Sequence, residues 1–451
     1  MTAALPFAGE RYAVVGLGRN GAPVADALAA QGAQVSVWDD NRETRYGTSH
    51  ELLTQPFRLS GFNGLVLSPG IAHHLPKPHP AAEAAREAGV PILSDADLLY
   101  TATRRRGSAA RFAGITGTNG KSTTTALLHH MLISAGWDSA AGGNLGTPAL
   151  ALPALDAGGT YVLEMSSYML ERLQNLRFDA ACLLNLSPDH IDRHGDMAGY
   201  TRAKRHVFDR QTEADTAIFG IDDPETAALA DTLAGPKVIR ISGHQPADLW
   251  CEDGTLRDAE GSILAMAEAP ALPGAHNAQN AAAAAALALS LGLGRDAVAQ
   301  GIRSFPGLAH RQQLVATIGG VDWINDSKAT NADAAARALA CYRRIVWIAG
   351  GQAKSGGIDS LAPYFPRVAH VLLIGRDGPL LSSTLRQAGI PFTLSGTLDA
   401  AVASARSLAP RLGADVVLLS PACASFDQFA SFEQRGDRFA ALARATSTGA
   451  P

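Results

Sequence analysis

Cysteine, aromatic side chains, surplus charge and long apolar runs are all scarce in this sequence of 451 residues. The four cysteines, Cys182, Cys251, Cys341 and Cys423, show no CxxC or zinc-finger spacing. That argues against a disulfide framework and for unpaired thiols in a reducing compartment. The 38 basic and 42 acidic residues leave a net charge of −4. Nothing in that balance attracts nucleic acid or an anionic membrane to the whole molecule, so phosphate binding must be local. No apolar run approaches the length of about 18 residues that a membrane span needs. The alanine tract after Asn280 is too short and too weakly apolar, and Met1 to Glu10 lacks a basic segment followed by an apolar one. A cytoplasmic protein with no membrane insertion and no nucleic-acid partner is expected.

What the chain does have is apolar material rich in glycine and alanine. Apolar residues make up 47% of it, enough for several cores. At roughly 150 residues per domain, the length suggests three domains. Three blocks of alternating strand-like and helix-like stretches agree with this. The first has strands at Tyr12–Val15, Gln34–Trp38 and Gly64–Leu67, with helical spacing over Pro23–Gln31. The polar stretch Thr101–Ser108, with Arg104-Arg105-Arg106 inside it, has no periodicity and reads as a solvated linker. The second block restarts with a strand at Arg111–Thr116 and a helix at Lys121–Ser134. Further strands follow at Tyr161–Glu164 and Ala181–Leu186, then an Ala-rich helix from Asn277 to near Gly292. Ser304–His310 reads as a hinge. The third block has strands at Val321–Ile324, Ile345–Ala349, Val371–Ile374 and Val416–Ser420. Such alternation implies parallel sheets, with ligands at strand ends. Thr446–Pro451 is a short low-complexity tail.

Between the strand and helix that open the second block lies Thr116-Gly117-Thr118-Asn119-Gly120-Lys121-Ser122-Thr123. Glycines let backbone N–H groups approach phosphate oxygens, and the helix N-terminus adds partial positive charge. Lys121 has the reach for β- and γ-phosphates, and the Ser122 hydroxyl suits Mg²⁺. Ile115 occupies the position of the first glycine of a standard Walker A, so the loop is a variant carried by Gly117 and Gly120. Glu164 ends an apolar strand, where a carboxylate is well placed to hold Mg²⁺. Asn185-Leu186-Ser187-Pro188-Asp189-His190-Ile191-Asp192-Arg193-His194 ends another, and Lys204 follows. By itself Lys204 reads as a surface residue, and Asn277 reads equally well as a helix N-cap.

The loop Thr-Gly-Thr-Asn-Gly-Lys-Ser is similar to the ATP loop of the Mur ligase family. Asp-His-x-Asp-Arg-His followed by Ala203-Lys204 resembles a second motif of that family, and Asn325-Asp326-Ser327-Lys328-Ala329-Thr330-Asn331 a third. The resemblance spans nearly the whole chain. It implies an α/β protein of three domains: a Rossmann-like UDP-binding domain (1–107), a central P-loop-type ATPase domain with a mostly parallel sheet (108–308), and a Rossmann-like glutamate-binding domain (309–451). It implies ATP as substrate, with Gly117, Thr118, Asn119, Gly120, Lys121, Ser122, Thr123, Asn277, Asn280, Arg311 and Asp326 around it. It implies two Mg²⁺ ions held by Ser122, Glu164, His190 and Lys204, with Lys204 carbamylated by CO₂. Lys121, His190, Lys204 and Lys328 take the catalytic roles.

The turn Val15-Gly16-Leu17-Gly18-Arg19-Asn20-Gly21, with Asp39 after the next strand, has the form of a dinucleotide fingerprint. On the residues alone, a dinucleotide-binding oxidoreductase is therefore an alternative. In one branch of the family such a turn holds a sugar nucleotide, through residues matching Leu17, Arg19, Asn20, Asp39 and Gly70, while Asn144 reaches the muramoyl group. Leu419–Phe429 and Phe432–Gly436 resemble the branch that adds glutamate, which places Thr330, Lys354, Ser425 and Phe432 around that substrate. The implied substrates are UDP-N-acetylmuramoyl-L-alanine and D-glutamate, and a monomer is expected. L-glutamate, another amino acid, or a non-catalytic nucleotide-sensing scaffold stay open at this point. Met169 stands where the family usually has Gln, and Arg19-Asn20 and Gln352-Ala353 also depart from its pattern.

Overall fold

The computed structural model describes residues 5–144, 146–354 and 356–445. The tail from Thr446 to Pro451 and Leu145, next to Asn144, lie outside them. The chain packs as two compact units, Met1–Glu268 with Asn277–Phe305, and Ala269–His276 with Pro306–Pro451. The break at Phe305/Pro306 falls inside the segment read as a hinge. The blocks read as first and second share one unit.

That first unit holds two sheets. One is five-stranded and parallel, in the order Glu51–Leu52, Gln34–Trp38, Arg11–Val15, Gly64–Leu67, Ile92–Leu93. Its central strand Arg11–Val15 buries four of its five residues, as expected for parallel strands covered on both faces. The helix after it runs Gly21–Ala30, two residues earlier than the spacing over Pro23–Gln31 predicts. A tight turn fixes that start, since a Cβ on Gly21 would lie 1.6 Å from the Gly16 carbonyl oxygen.

The other sheet is nine-stranded. One side of it is Ala180–Leu183, Arg111–Thr116, Thr160–Glu164 and, at the edge, Ser139–Gly143, all parallel. Beyond Ala180–Leu183 come Thr216–Gly220, Lys237–Ser242 and the meander Leu249–Glu252, Thr255–Asp258, Gly261–Ala265. The sequence reading missed this outer half. The second unit carries a six-stranded sheet in the order Gln313–Ile318, Val321–Asn325, Val416–Leu419, Ile345–Gly350, Val368–Ile374, Phe392–Gly396. Its first pair is antiparallel and the rest parallel.

The stretch read as a solvated linker is ordered. Residues through Arg105 belong to the helix Asp95–Arg105, capped by Ser94. Arg104 donates to the carbonyls of Ser108 and Ala110 at 2.8 and 2.9 Å and lies over the Tyr100 ring. Arg105 pairs with Glu10 at 2.9 Å. These arginines tie the chain down because guanidinium donors can satisfy several carbonyls at once. The Ala-rich helix spans Ala275–Ser290, so Asn277 lies in its first turn and is not its N-cap. Ala281 to Ala286 are at most 1% exposed. No described helix is long and apolar enough to cross a membrane.

Candidate active site

The strand Arg111–Thr116 delivers the chain to the phosphate loop, and the helix Lys121–Ser134 carries it away. Ile115 is fully buried inside the strand, where its carbonyl accepts from Met165 N. The loop curvature comes from Gly117 and Gly120, at φ of +147° and +85°. Only glycine adopts these values without strain. A Cβ on Gly120 would come within 2.2 Å of Asn280 Oδ1, and one on Gly117 within 2.9 Å of Leu184 Cβ. Asn280 thus packs directly on the loop, within 3.4 Å of Thr124 Oγ1, and donates to Asn277 Oδ1 at 2.9 Å. Lys121 Nζ folds back over the loop, donating to the carbonyls of Gly117 and Thr118 at 2.8 and 2.9 Å. Ser122 is buried in the first helical turn.

Lys204 is not on the surface. It sits on the helix Met197–Arg205 and is 1% exposed. Its Nζ donates to the Gly117 carbonyl at 2.8 Å and lies 3.4 Å from Thr116 Oγ1. Burial, reinforced by the charge of Lys121, pushes its ammonium well below the usual lysine range, while Asp189 and Glu164 pull the other way. A buried amine of that kind has a larger neutral, nucleophilic fraction.

Glu164 ends the neighbouring strand, in register with Ile115 on one side and Gly143 on the other. It is 2% exposed. One carboxylate oxygen accepts from Asn144 Nδ2 at 2.7 Å, and the other is buried without a hydrogen-bond partner. A buried oxygen left this way is expensive unless a cation or ligand completes it. The residues therefore fit a metal ion. Among the described residues no three His, Cys, Asp or Glu side chains cluster closely enough to hold one alone. The expected set adds the Ser122 hydroxyl and a modified lysine to Glu164 and His190.

His190 is exposed and takes a left-handed backbone, φ +52°. Its ring lies 5.1 Å from that of Tyr168. Partial burial lowers its pKa, Asp189 opposes, and Lys121 and Lys204 lower it further. Its neighbour His194 is buried, 3.0 Å from Glu171 Oε1 and 2.9 Å from Ser167 Oγ.

In the five-stranded sheet, Leu17, Arg19 and Asn20 lie at the end of Arg11–Val15, Asp39 at the end of Gln34–Trp38, and Gly70 just past Gly64–Leu67. The topology thus brings all five to the carboxyl edge. Asp39 is engaged by backbone: it accepts from Leu17 N at 2.6 Å and Asn41 N at 2.8 Å. Ser68 Oγ donates to the Gly16 carbonyl at 2.7 Å, joining the two turns.

The second unit holds the remaining expected residues. Asp326 is buried, accepting from Ser420 Oγ at 2.7 Å and Gln312 N at 3.2 Å. Burial pushes its carboxyl up to about 7 against these bonds and the nearby Arg311. Lys328 Nζ sits 5.2 Å above the Phe432 ring, and Thr330 follows on the same loop. Gln352 pairs with Ala424, which brings exposed Lys354 and buried Ser425 onto adjacent segments. Cys423 is buried, with its thiol pushed up to about 12 by desolvation.

Several residues were missed from sequence. Asn185 accepts from Asn119 N at 2.9 Å and donates to Gln279 Oε1 at 3.2 Å; Gln279 in turn donates to Asp222 at 3.0 Å. Thr118 Oγ1 bonds Ser187 and lies 3.2 Å from Tyr200 OH. Arg435, 1% exposed, donates to Ser327 Oγ, Ser327 O and Cys423 O. Asn185 carried one signal, a polar residue closing an apolar strand. Gln279 carried none, because a helical Gln reads as solvated, and Arg435 lay inside the string Phe432–Gly436 with no role given to it.

The geometry is that of a nucleotide-dependent enzyme with a lysine built into its phosphate loop. Family models agree: "Mur ligase middle domain" matches residues 115–288 and "Mur ligase, glutamate ligase domain" matches 310–423. The chain belongs to the Mur ligase family. Within it, the chain is 48% identical over 453 residues to UDP-N-acetylmuramoylalanine--D-glutamate ligase of Paramagnetospirillum magneticum, covering 98% of both chains. It is 47% identical to the ligase of the same name from Rhodospirillum rubrum, covering 97% and 94%. Among solved structures it resembles UDP-N-acetylmuramate-alanine ligase of Thermotoga maritima, at TM-score 0.60 and 18% identity, covering 96% and 99%. That likeness bears out the expected α/β fold.

Proposed function

We propose that the chain joins glutamate to UDP-N-acetylmuramoyl-L-alanine, converting ATP to ADP and phosphate, in peptidoglycan precursor synthesis. D-glutamate is the amino acid that the relatives' name specifies. The observation that carries this reading is the buried contact of Lys204 with the phosphate loop, one strand away from the unpartnered oxygen of Glu164. A plain phosphate-binding loop needs neither. Family membership leaves the dinucleotide oxidoreductase without support.

The substrate carboxylate attacks the γ-phosphorus of ATP, and ADP leaves. The glutamate amine attacks the resulting acyl phosphate, and inorganic phosphate leaves. Lys121 and the loop N–H groups hold the phosphates. Two Mg²⁺ ions, held by Ser122, Glu164, His190 and Lys204, would neutralise phosphate charge. For that role the Lys204 amine adds CO₂ and loses a proton, exchanging a buried cation for an anionic oxygen ligand. Asn277 and Asn280 serve the nucleotide base, Asp326 its ribose, and Arg311 and Lys328 the phosphates. Thr330, Lys354, Ser425 and Phe432 hold glutamate. Leu17, Arg19, Asn20, Asp39, Gly70 and Asn144 hold the sugar nucleotide. We take the domains as 1–107, 108–308 and 309–451, and the working form as a cytoplasmic monomer.

The test is ADP release with ATP, Mg²⁺, UDP-N-acetylmuramoyl-L-alanine and each glutamate enantiomer separately, with the product mass measured. ADP and an amide product are expected only when all are present, with the D-enantiomer. Nucleotide binding without an amide product would overturn the reading in favour of a sensing scaffold.

A further inference from the structure

Adjacent residues Glu171 and Arg172 tie the helix Ile191–His194 and the turn after Gly64–Leu67 to one short segment. Glu171 accepts from His194 Nδ1 at 3.0 Å and so anchors the short helix Ile191–His194 that begins beside His190. Arg172 reaches into the turn that follows the strand Gly64–Leu67, where Glu171 Oε2 also lies 3.7 Å from His73 Nε2. Arg172 is 3% exposed. Its guanidinium donates to the Leu67 carbonyl at 2.7 Å and the Ile71 carbonyl at 2.8 Å, and its Nε faces His73 Nδ1 at 3.4 Å. Arg193 grips the same turn from the motif side, donating to the carbonyls of Gly70 at 3.0 Å and Ile71 at 3.3 Å. Its own guanidinium is held over the Tyr168 ring at 4.4 Å.

The turn passes this constraint on. Ile71 N donates to the Ser68 carbonyl at 2.9 Å, Ser68 N to the Val15 carbonyl at 3.0 Å, and Ser68 Oγ to the Gly16 carbonyl. The orientation of the Gly16–Gly21 turn therefore depends on the Leu67–Ile71 turn, and that depends on Arg172 and Arg193. A planar fork with fixed donor directions fixes both the distance and the angle between what it joins. Burial lowers the Arg172 guanidinium only to about 10, so the cation persists at neutral pH.

We infer that Arg172, with Arg193, is a positioning residue for the sugar-nucleotide substrate, holding the Leu67–Ile71 and Gly16–Gly21 turns at a set place relative to the phosphate loop. This rests on the reading that those turns bind UDP-N-acetylmuramoyl-L-alanine. Neither arginine touches substrate. Each acts through backbone carbonyls, so its loss moves the nucleotide-sugar cradle and leaves the ATP loop in place.

The experiment compares wild type with Arg172→Met, Arg172→Lys and Arg193→Ala, measuring KM for each substrate and kcat. In Arg172→Met and Arg193→Ala the KM for the sugar nucleotide is expected to rise about tenfold, with ATP KM and kcat changed less than about threefold. Arg172→Lys, which keeps a donor but not the fork, is expected between wild type and Arg172→Met. An unchanged sugar-nucleotide KM overturns the inference, and so does a parallel rise in the ATP KM, which marks general loosening. Half-buried Arg193 keeps the test open if Arg172→Met does not fold. Wild type that makes no ADP from these substrates defeats the functional reading, and calorimetric titration with UDP and with ATP then decides the inference alone. UDP binding weakened about tenfold in the variants, with ATP binding unchanged, supports it. Absent or equal UDP binding sinks it.

Discussion

Replacing Glu164 by Gln separates its structural role from its role as a ligand. The amide oxygen can still accept from Asn144 Nδ2, which now bonds Glu164 Oε1 at 2.7 Å. The new NH₂ group falls where the carboxylate oxygen has no partner. Without metal, the variant loses a buried charge and gains an unsatisfied donor costing roughly 1–3 kcal/mol, two effects that oppose one another. The melting temperature of the apo protein should therefore move little. With Mg²⁺ and ATP the difference is large. A ligand at a hundred times its Kd stabilises by about 2.7 kcal/mol, and one weakened a hundredfold by only about 0.4 kcal/mol. The lost increment, about 2.3 kcal/mol, corresponds to roughly 5–9 °C of melting temperature for a domain of this size. The assay is thermal unfolding of the full chain with and without Mg²⁺–ATP, alongside ADP production. A variant that keeps the full Mg²⁺–ATP shift and wild-type turnover would refute the assignment of Glu164 as a metal ligand.

Lys204→Ala is expected to lose most activity and to regain part of it with a small added carboxylic acid, which can supply the missing anionic oxygens; full activity without rescue would remove the carbamate from the mechanism. Asp326 has a folded-state pKa raised from 3.8 to about 7, so its favourable contribution is complete below about pH 4 and is lost as pH rises through 7. The wild type should therefore lose stability relative to Asp326→Asn over that window, by up to about 4 kcal/mol. Parallel unfolding curves for the two proteins from pH 4 to 8 would contradict this.

Much of the chemistry was legible as local pattern. The loop from Thr116 to Ser122 needs glycine where φ is positive, and a helix must follow it, so strand, loop and helix could be read together. The same holds for Glu164 closing its strand and for the alternation that implied parallel sheets. Edges were less legible. The meander Leu249–Ala265 has short, partly exposed strands that pair antiparallel mostly with one another and meet Lys237–Ser242 only at Ile241 and Ser242, so no long apolar alternation marks them. Arg104 looked solvated because a basic run carries no period, yet its carbonyl partners lie four and six residues on.

What the sequence determined by itself was which residue types stand at which strand ends, since a chemical motif is short and its spacing is covalent. What only the tertiary structure decided was burial and partnership. Lys204 and Gly117 are 87 residues apart, Arg172 and Leu67 are 105 apart, and no periodicity of either segment records that they meet. A lysine on a helix reads as solvated until folding removes its water. Only then does its amine shift, and only then does a surface cation become part of the phosphate loop.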